Sequence, residues 1–290
     1  MKKNIFENSE KENKIFKDER YLYEDYVPEI LPHRESEINE MVYSLKPILK
    51  GQKPQNIFIH GKSGTGKTVT TKHVMGELEE YSDRAKSKYI NCFEKNTRHS
   101  ILTTITNFLG YPTPRRGLGS DEIIEKMVQA LKNNEFLPII ILDEVDQLLK
   151  KDEASKLFYD LLRITQHKVR IGIVFISNDS EFILKLDDRV KSSLNPEKIE
   201  FQTYGPTELK NILRERCKYA IYDNAIVEET IGLAAAHAAK LGGDARVAIE
   251  SMLRAGRQAE RENSPKIQPK HLLEIFETID DSYARRSLTY

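Results

Sequence analysis

The chain has 290 residues, of which 39% are hydrophobic and 31% are charged, and no apolar run approaches the length of a membrane helix. This composition is that of an ordinary globular protein with a charged surface, and it excludes membrane and fibrous classes. Cys92 and Cys217 lie far apart without the spacing of a metal site, so we expect both to be reduced and buried in a cytoplasmic protein. The 45 basic and 45 acidic side chains cancel, so a surface that binds nucleic acid must be a local basic patch.

Residues 1–24 make up the first segment. It is rich in charged residues and contains two Ile-Phe pairs, Ile5-Phe6 and Ile15-Phe16. Terminal segments are poorly ordered unless something ties them down. We therefore expect a flexible N-terminal arm that docks through these pairs, and a disordered arm is the alternative.

Residues 25–203 alternate between patterns typical of strands and of helices. Short apolar runs predict strands, and apolar residues at helical spacing predict the helices between them. The predicted strands include 57–59, 89–91, 138–142 and 171–176. Because strands that alternate with helices form parallel sheets covered on both faces, the sequence predicts a three-layer α/β domain.

The pattern changes near residue 204. Beyond it the strand signals stop, and apolar residues continue at helical spacing. Predicted helices cover 209–217, 227–240, 245–261 and 269–279. We interpret residues 204–290 as a separate helical lid domain, with Gly205-Pro206 as the hinge.

A glycine-rich loop joins the first predicted strand to its helix. Residues 61–68 read Gly-Lys-Ser-Gly-Thr-Gly-Lys-Thr and match G-x-x-x-x-G-K-[ST], whose glycines let backbone N–H groups turn toward phosphate oxygens. Lys67 is expected to neutralise the β and γ phosphates and Thr68 to bind magnesium, at the positive end of the helix. A chance glycine-rich turn is the alternative. The predicted nucleotide contacts here are Gly61, Ser63, Gly64, Thr65, Gly66, Lys67, Thr68 and Val69.

Polar residues end the two later strands. Asp143-Glu144 follows the apolar run 138–142, where Asp143 suits magnesium and Glu144 suits polarising an attacking water, which indicates hydrolysis. Asn178 follows the next strand, and its amide is placed to orient that water or contact the γ-phosphate. The alternatives are an acidic turn and a turn asparagine.

These three motifs, in this order, resemble the AAA+ superfamily, and more closely the archaeal origin recognition and helicase-loader initiators. The resemblance runs over nearly the whole chain and is carried by residues 26–28, 31–35, 186–194 and 242–246. It implies an AAA+ P-loop fold with a C-terminal helical lid, ATP or ADP with Mg²⁺ as cofactors, and slow ATP hydrolysis that acts as an assembly switch. The implied partners are double-stranded origin DNA and a replicative helicase or other initiator protomers.

The resemblance also assigns nucleotide contacts outside the phosphate loop. The segment 27–34 would wrap the adenine through Val27, Pro28, Leu31, His33 and Arg34, and a proline-rich linker is the alternative. Tyr204 and Arg216, at the lid entrance and on its first helix, would contact adenine and phosphate, although Tyr204 suits a core position equally well.

Three polar residues receive catalytic roles by the same resemblance. Asn178 corresponds to sensor 1, Arg189 to the arginine finger that completes a neighbouring protomer's site, and Arg246 to sensor 2, a lid arginine that senses the γ-phosphate. Taken alone, Arg189 is a surface arginine and Arg246 is one half of an ion pair on a helix.

Predicted DNA contacts lie in the turn-rich loop that holds Arg115 and Arg116, together with Arg98, where the family carries a helical insertion that touches DNA. A solvated basic loop is the alternative. Family members typically continue into a winged-helix domain, for which the sequence after the lid leaves no room. Either the sequence is truncated, or it is that of a naturally short relative whose DNA binding rests on the insertion alone.

Two other functions stay open at this point. The zero net charge favours a nucleotide-operated switch that binds a protein in place of DNA. A general remodelling or clamp-loader-like ATPase is the other alternative, and the segment 31–35 and the loop with Arg115 and Arg116 argue against it.

Overall fold

The computed structural model describes residues 15–114, 117–151 and 153–276. They fall into two compact units. The α/β unit comprises residues 34–63 and 70–202, and the helical unit comprises the described residues up to 33, residues 64–69 and those from 203 onward. No helix among the residues described is both long and apolar enough to cross a membrane.

The α/β unit is built on a parallel sheet of five strands in the order β2-β3-β4-β1-β5. The strands are β1 Ile57–Gly61, β2 Ala85–Asn91, β3 Leu137–Asp143, β4 Gly172–Ser177 and β5 Glu197–Phe201. The parallel sheet was predicted, but β5 was not. As an edge strand it buries only Ile199 and Phe201 and carries charged residues elsewhere, so it lacks a continuous apolar run.

Helices cover both faces of this sheet. They are α1 Glu35–Leu45, α2 Lys67–Tyr81, α3 Arg98–Phe108, α4 Ser120–Asn133, α5 Ala154–Ile164 and α6 Asp188–Leu194. Successive strand residues point to opposite faces, so Phe58 joins one apolar cluster, with α3, α4 and α5, while Ile57 and Ile59 join another, with α1 and α2. The three predicted layers are therefore confirmed.

The helical unit is formed mainly by α7 Pro206–Ala220, α8 Glu228–Lys240 and α9 Ala245–Arg261, and residues 269–276 are also helical. The predicted hinge is the start of α7: Pro206 occupies the first turn, and the Glu208 carboxylate accepts the Gly205 N–H at 2.7 Å. Apolar side chains of the three helices form one core, in which Leu213, Ala234 and Met252 are fully buried.

The segment 15–24 packs into that same core. Ile15 and Phe16, the second Ile-Phe pair, are 0% and 3% exposed. The backbone of Phe16 pairs with that of Ile221, and Lys17 N–H donates to the Ala220 carbonyl at 2.8 Å. Residues 1–14 lie outside the described residues, so the flexible arm and the exact domain boundaries stay predictions.

Candidate active site

The phosphate loop leaves the carboxyl end of β1 through a glycine that the sheet requires. A Cβ on Gly61 would lie 2.3 Å from the Phe201 carbonyl oxygen of the neighbouring strand β5. Gly64 and Gly66 have φ angles of 74° and 91°, which residues other than glycine rarely adopt. The three glycines are thus explained by backbone geometry, as the motif predicted.

The end of the loop presents a cation and a helix N-terminus. Lys67 is the first residue of α2 and only 7% exposed, and Thr65 before it is fully buried. Thr68, in the first turn, is half-buried. Backbone N–H groups, an ammonium and the positive end of a helix are the chemistry that phosphate oxygens require, so this segment fits the predicted phosphate site.

Asp143 ends β3 with both carboxylate oxygens held. It is 4% exposed. The Tyr89 hydroxyl on β2 donates to Oδ2 at 2.8 Å, and the Glu144 N–H donates to Oδ1 at 2.8 Å. Burial, and next the charge of Asp143, raise the pKa of Tyr89 far above its usual value, so the phenol keeps the proton that it donates. Carboxylate oxygens suit Mg²⁺, and the donor chemistry here fits the predicted metal ligand.

Glu144 adopts a left-handed backbone conformation, with φ of 56°. This conformation costs about 1–2 kcal/mol for a residue with a Cβ. Strained backbone conformations of this kind persist only where the surrounding structure holds them, and they concentrate at functional sites. Glu144 is partly exposed at the carboxyl end of β3, and a general base must be accessible to water.

The carboxyl end of β4 is fixed by an acidic residue that the motif analysis did not single out. Ser177 pairs in register with His60 of β1, so the ends of the two strands are level. The Ser177 hydroxyl donates to Asp146 Oδ1 at 2.8 Å, and the Asn178 N–H lies 3.4 Å from the same oxygen. Asp146 therefore positions the predicted sensor 1. The sequence signal was a serine at the end of an apolar strand; in the structure Ser177 is 1% exposed.

The start of α9 contacts the tip of the phosphate loop within the helical unit. Ala245 N–H donates to the Gly64 carbonyl at 3.1 Å, and a Cβ on Gly64 would lie 1.9 Å from Asp244 Oδ1. Asp244 caps α9 by accepting the Arg246 N–H at 2.8 Å. The predicted sensor 2 therefore directly follows the residue that is hydrogen-bonded to the phosphate loop.

Arg246 is held by two carboxylates. Its Nη2 lies 2.9 Å from Asp244 Oδ2, and its Nη1 lies 3.3 Å from Glu24 Oε1. The ion-pair alternative is therefore present, and it is compatible with a sensor role because the guanidinium has five N–H donors. Sequence reasoning named neither carboxylate as a partner: Glu24 is remote in sequence, and Asp244 was noted only as part of the segment 242–246.

The predicted adenine segment ends in a buried arginine network. Arg34 is 4% exposed; its guanidinium donates to Glu37 at 2.8 Å and to the Gln202 carbonyl at 2.6 Å, and it lies over the Phe201 ring. These partners give Arg34 a structural role in the α/β unit.

The rest of the adenine segment belongs to the helical unit. His33, at φ of 65°, has Nε2 3.1 Å from Asn211 Nδ2. Pro28 is buried, and Val27 and Leu31 are half-buried. Apolar side chains of this kind suit the flat faces of a base.

Two further predicted nucleotide contacts lie inside the helical unit. Tyr204 is 6% exposed and belongs to the apolar core of this unit, as the core alternative for this residue predicted. Arg216 is 7% exposed and donates to the Tyr21 and Tyr26 carbonyls at 3.0 and 3.2 Å. Burial lowers the pKa of Arg216 to about 10, so it stays cationic at neutral pH. These contacts fasten the segment 15–26.

The predicted arginine finger and DNA contacts are the remaining site residues. Arg189 is exposed in the first turn of α6. Arg98 pairs with Asp160 through its guanidinium. Arg115 and Arg116 lie outside the described residues. The functional roles of these arginines stay predictions.

Known proteins resemble the chain in sequence over nearly its whole length. Residues 50–183 match the AAA domain family, and residues 210–275 match the Cdc6 AAA+ ATPase-type lid domain family. The ORC1-type DNA replication protein of Pyrococcus abyssi is 39% identical over 286 residues, which cover 95% of this chain and 68% of that protein.

Solved structures resemble it in fold as well. Aeropyrum pernix ORC1, solved in complex with DNA, has a TM-score of 0.85 and 34% identity over 93% of this chain and 71% of that one. Aeropyrum pernix ORC2 in its ADP form has a TM-score of 0.80 and 25% identity over 90% of this chain and 73% of that one. The chain therefore belongs to the family of ORC1-type DNA replication proteins and is a nucleotide-binding AAA+ ATPase.

Proposed function

We propose that the chain is an ATP-dependent initiator of DNA replication that binds ATP or ADP with Mg²⁺, hydrolyses ATP slowly and uses its nucleotide state to control assembly on double-stranded origin DNA. The contact between Gly64 of the phosphate loop and Asp244 of the lid carries this proposal. Because Asp244 also holds Arg246, a change in the loop on binding a γ-phosphate reaches the lid directly. The similarity to ORC1-type DNA replication proteins and to Aeropyrum pernix ORC1 in complex with DNA supports the same function.

In this proposal the phosphate loop binds the phosphates of ATP, and residues at the carboxyl ends of β3 and β4 act on the attacking water and the metal. Thr68 and Asp143 would hold Mg²⁺, and the bound ion would neutralise charge that develops on the phosphate oxygens. Lys67 balances the remaining phosphate charge. Glu144 orients the attacking water and takes its proton, and Asn178 aligns that water. Each of these roles uses a side chain at the carboxyl end of a strand or at the start of α2.

The environments of two arginines support the proposal of slow turnover. Arg246 is already paired with Asp244 and Glu24, so its charge is shared between these carboxylates and the γ-phosphate. Arg189 is exposed on α6 and is proposed to complete the site of a second protomer. An arginine finger accelerates NTP hydrolysis about 10³- to 10⁵-fold, so a chain without a partner is slow.

DNA binding is the part of the proposal for which the charge distribution matters most. The formal net charge is zero, and Arg98, one of the three predicted contacts, is paired with Asp160. Arg115 and Arg116 are the other two predicted contacts, and they are the pair that the test addresses. The test is duplex DNA affinity against salt concentration, with ATP or with ADP, for the wild type and for Arg115→Ala/Arg116→Ala.

The double variant is expected to bind more weakly. The slope of log affinity against log salt concentration should decrease in magnitude by about the amount that two lost phosphate contacts produce. Lys46→Ala/Lys50→Ala removes the same charge from exposed residues elsewhere and should bind as the wild type does. No binding by the wild type at low salt would contradict the DNA proposal. It would favour the second candidate, a nucleotide-operated switch with a protein partner, which the zero net charge and the Arg98–Asp160 pair support.

A further inference from the structure

We infer that Tyr89 is a positioning residue for Mg²⁺: its hydroxyl fixes the carboxylate of Asp143 and so sets the Mg²⁺ affinity of the nucleotide complex, while leaving the affinity for the nucleotide alone unchanged. The inference rests on the proposed function, because it assumes that Asp143 takes part in holding the metal. It assigns a role to a side chain that lies outside every motif of the sequence.

The register of the sheet brings the two side chains together. Tyr89 of β2 pairs with Ile141 of β3, and Asn91 pairs with Asp143. Residues two apart on a strand share a face, so Tyr89 and Asp143 lie on the same face of adjacent strands. The tyrosine side chain leans along the strand until its hydroxyl is 2.8 Å from Asp143 Oδ2.

The two hydrogen bonds on Asp143 remove its rotational freedom. Glu144 N–H holds Oδ1 and the Tyr89 hydroxyl holds Oδ2. A carboxylate has about four lone-pair sites, so one hydrogen bond to each oxygen is compatible with a metal ion, or a water bound to it, on the same carboxylate. Without the tyrosine hydroxyl, the carboxylate must be ordered when the metal binds, and the metal affinity falls.

Tyr89 is itself held from the side of the phosphate-loop helix. Lys72 of α2 places its Nζ 4.6 Å from the centre of the Tyr89 ring, a cation–π contact. The ring is therefore clamped between α2 and β3, the two elements that carry the predicted metal ligands Thr68 and Asp143. A tyrosine that only filled space would not need its hydroxyl directed at the metal carboxylate.

The experiment titrates Mg²⁺ while ATP-dependent thermal stabilisation of the full chain is measured. Tyr89→Phe keeps the ring and removes the hydroxyl. Its Mg²⁺ midpoint is expected to rise about 10- to 100-fold, the usual effect of losing a partner of a metal ligand. The melting temperature without nucleotide and the stabilisation by ATP in EDTA should stay near those of the wild type. Tyr81→Phe, at a tyrosine that is 79% exposed on α2, is the matched control and should not shift the midpoint.

A double-mutant cycle separates an effect through Asp143 from a general disturbance. If Tyr89 acts through that carboxylate, Tyr89→Phe adds no further shift once Asp143→Asn is present. Additive shifts, or a Tyr89→Phe midpoint equal to that of the wild type, would overturn the inference alone. A wild type that gains no stability from ATP at any Mg²⁺ concentration would overturn the proposed function, and this inference with it.

Discussion

The carboxylate of Asp244 lies against Gly64 of the phosphate loop, so closely that a Cβ on Gly64 would be 1.9 Å from Asp244 Oδ1. Asp244 is 3% exposed, caps α9 and pairs with Arg246. One buried carboxylate therefore contacts the loop that is expected to hold phosphate and orients the arginine that is expected to sense it.

Gly64→Ala should disturb this contact. The added methyl group meets Asp244, and alanine at φ of 74° costs about 1–2 kcal/mol in the folded state. We expect a lower melting temperature and a loss of ATP-dependent stabilisation, measured by differential scanning fluorimetry.

Gly76→Ala is the matched control on α2, where the added Cβ meets nothing within 4 Å. Replacing a glycine inside a helix by alanine stabilises by about 1 kcal/mol, so this variant should melt at a higher temperature and keep its response to ATP. Equal behaviour of the two variants would contradict the account of Gly64.

Substitutions of Asp244 separate its capping role from its charge. Asp244→Asn keeps a capping oxygen and loses the ion pair with Arg246, whereas Asp244→Ala loses both. We expect the alanine variant to be less stable than the asparagine variant by about 1 kcal/mol in urea unfolding.

Both Asp244 variants should also respond more weakly to ATP than the wild type, because Arg246 is no longer oriented. Asp83→Ala, at an exposed aspartate, should change stability by less than about 0.5 kcal/mol. An Asp244→Asn variant with an unchanged ATP response would show that the charge of Asp244 does not matter to the site.

Glu144→Gln should separate binding from chemistry. The amide cannot take a proton from water, so phosphate release should fall about 10²- to 10⁴-fold, while stabilisation by ATP persists. The comparison is Glu77→Gln, at an exposed residue of α2, which should hydrolyse ATP at the wild-type rate. Unchanged phosphate release by Glu144→Gln would remove Glu144 from the mechanism.

Gly256→Ala tests how the segment 15–24 is docked. A Cβ on Gly256 of α9 would lie 2.2 Å from the Phe16 ring, so the usual gain from alanine in a helix should be reversed into a loss of about 1–3 kcal/mol. Gly232→Ala on α8 meets only the end of the Lys210 side chain, at 3.7 Å, and should be stabilising. Thermal unfolding compares the two variants, and stabilisation by both would mean that Phe16 does not pack there in solution.

The sequence predicted those features that depend on residues close together in the chain. The phosphate loop was predicted in full because each glycine meets a backbone requirement within a few residues. The buried strand β3 and the acidic pair at its end were predicted because a continuous apolar run is itself the signal of a covered strand. Edge strand β5 was missed because its charged residues face water.

Contacts between residues remote in sequence were not predicted. Tyr89 was assigned only to a strand, and its hydrogen bond to Asp143 depends on which strands are neighbours and in which register. The phosphate contact of Arg216 stays a prediction, whereas its hydrogen bonds to the carbonyls of Tyr21 and Tyr26, about 190 residues earlier, were not predicted. A residue type alone does not reveal such partners.

The most direct measurement of the central claim is ATP-dependent thermal stabilisation of the wild type and of Lys67→Ala, with Mg²⁺ present. At an ATP concentration about 1,000-fold above its Kd, the wild type should gain about 4 kcal/mol, and Lys67→Ala should gain nothing. Lys50→Ala, at an exposed lysine, should respond as the wild type does. A wild type that ATP does not stabilise, or a Lys67→Ala variant that ATP stabilises equally, would contradict the account.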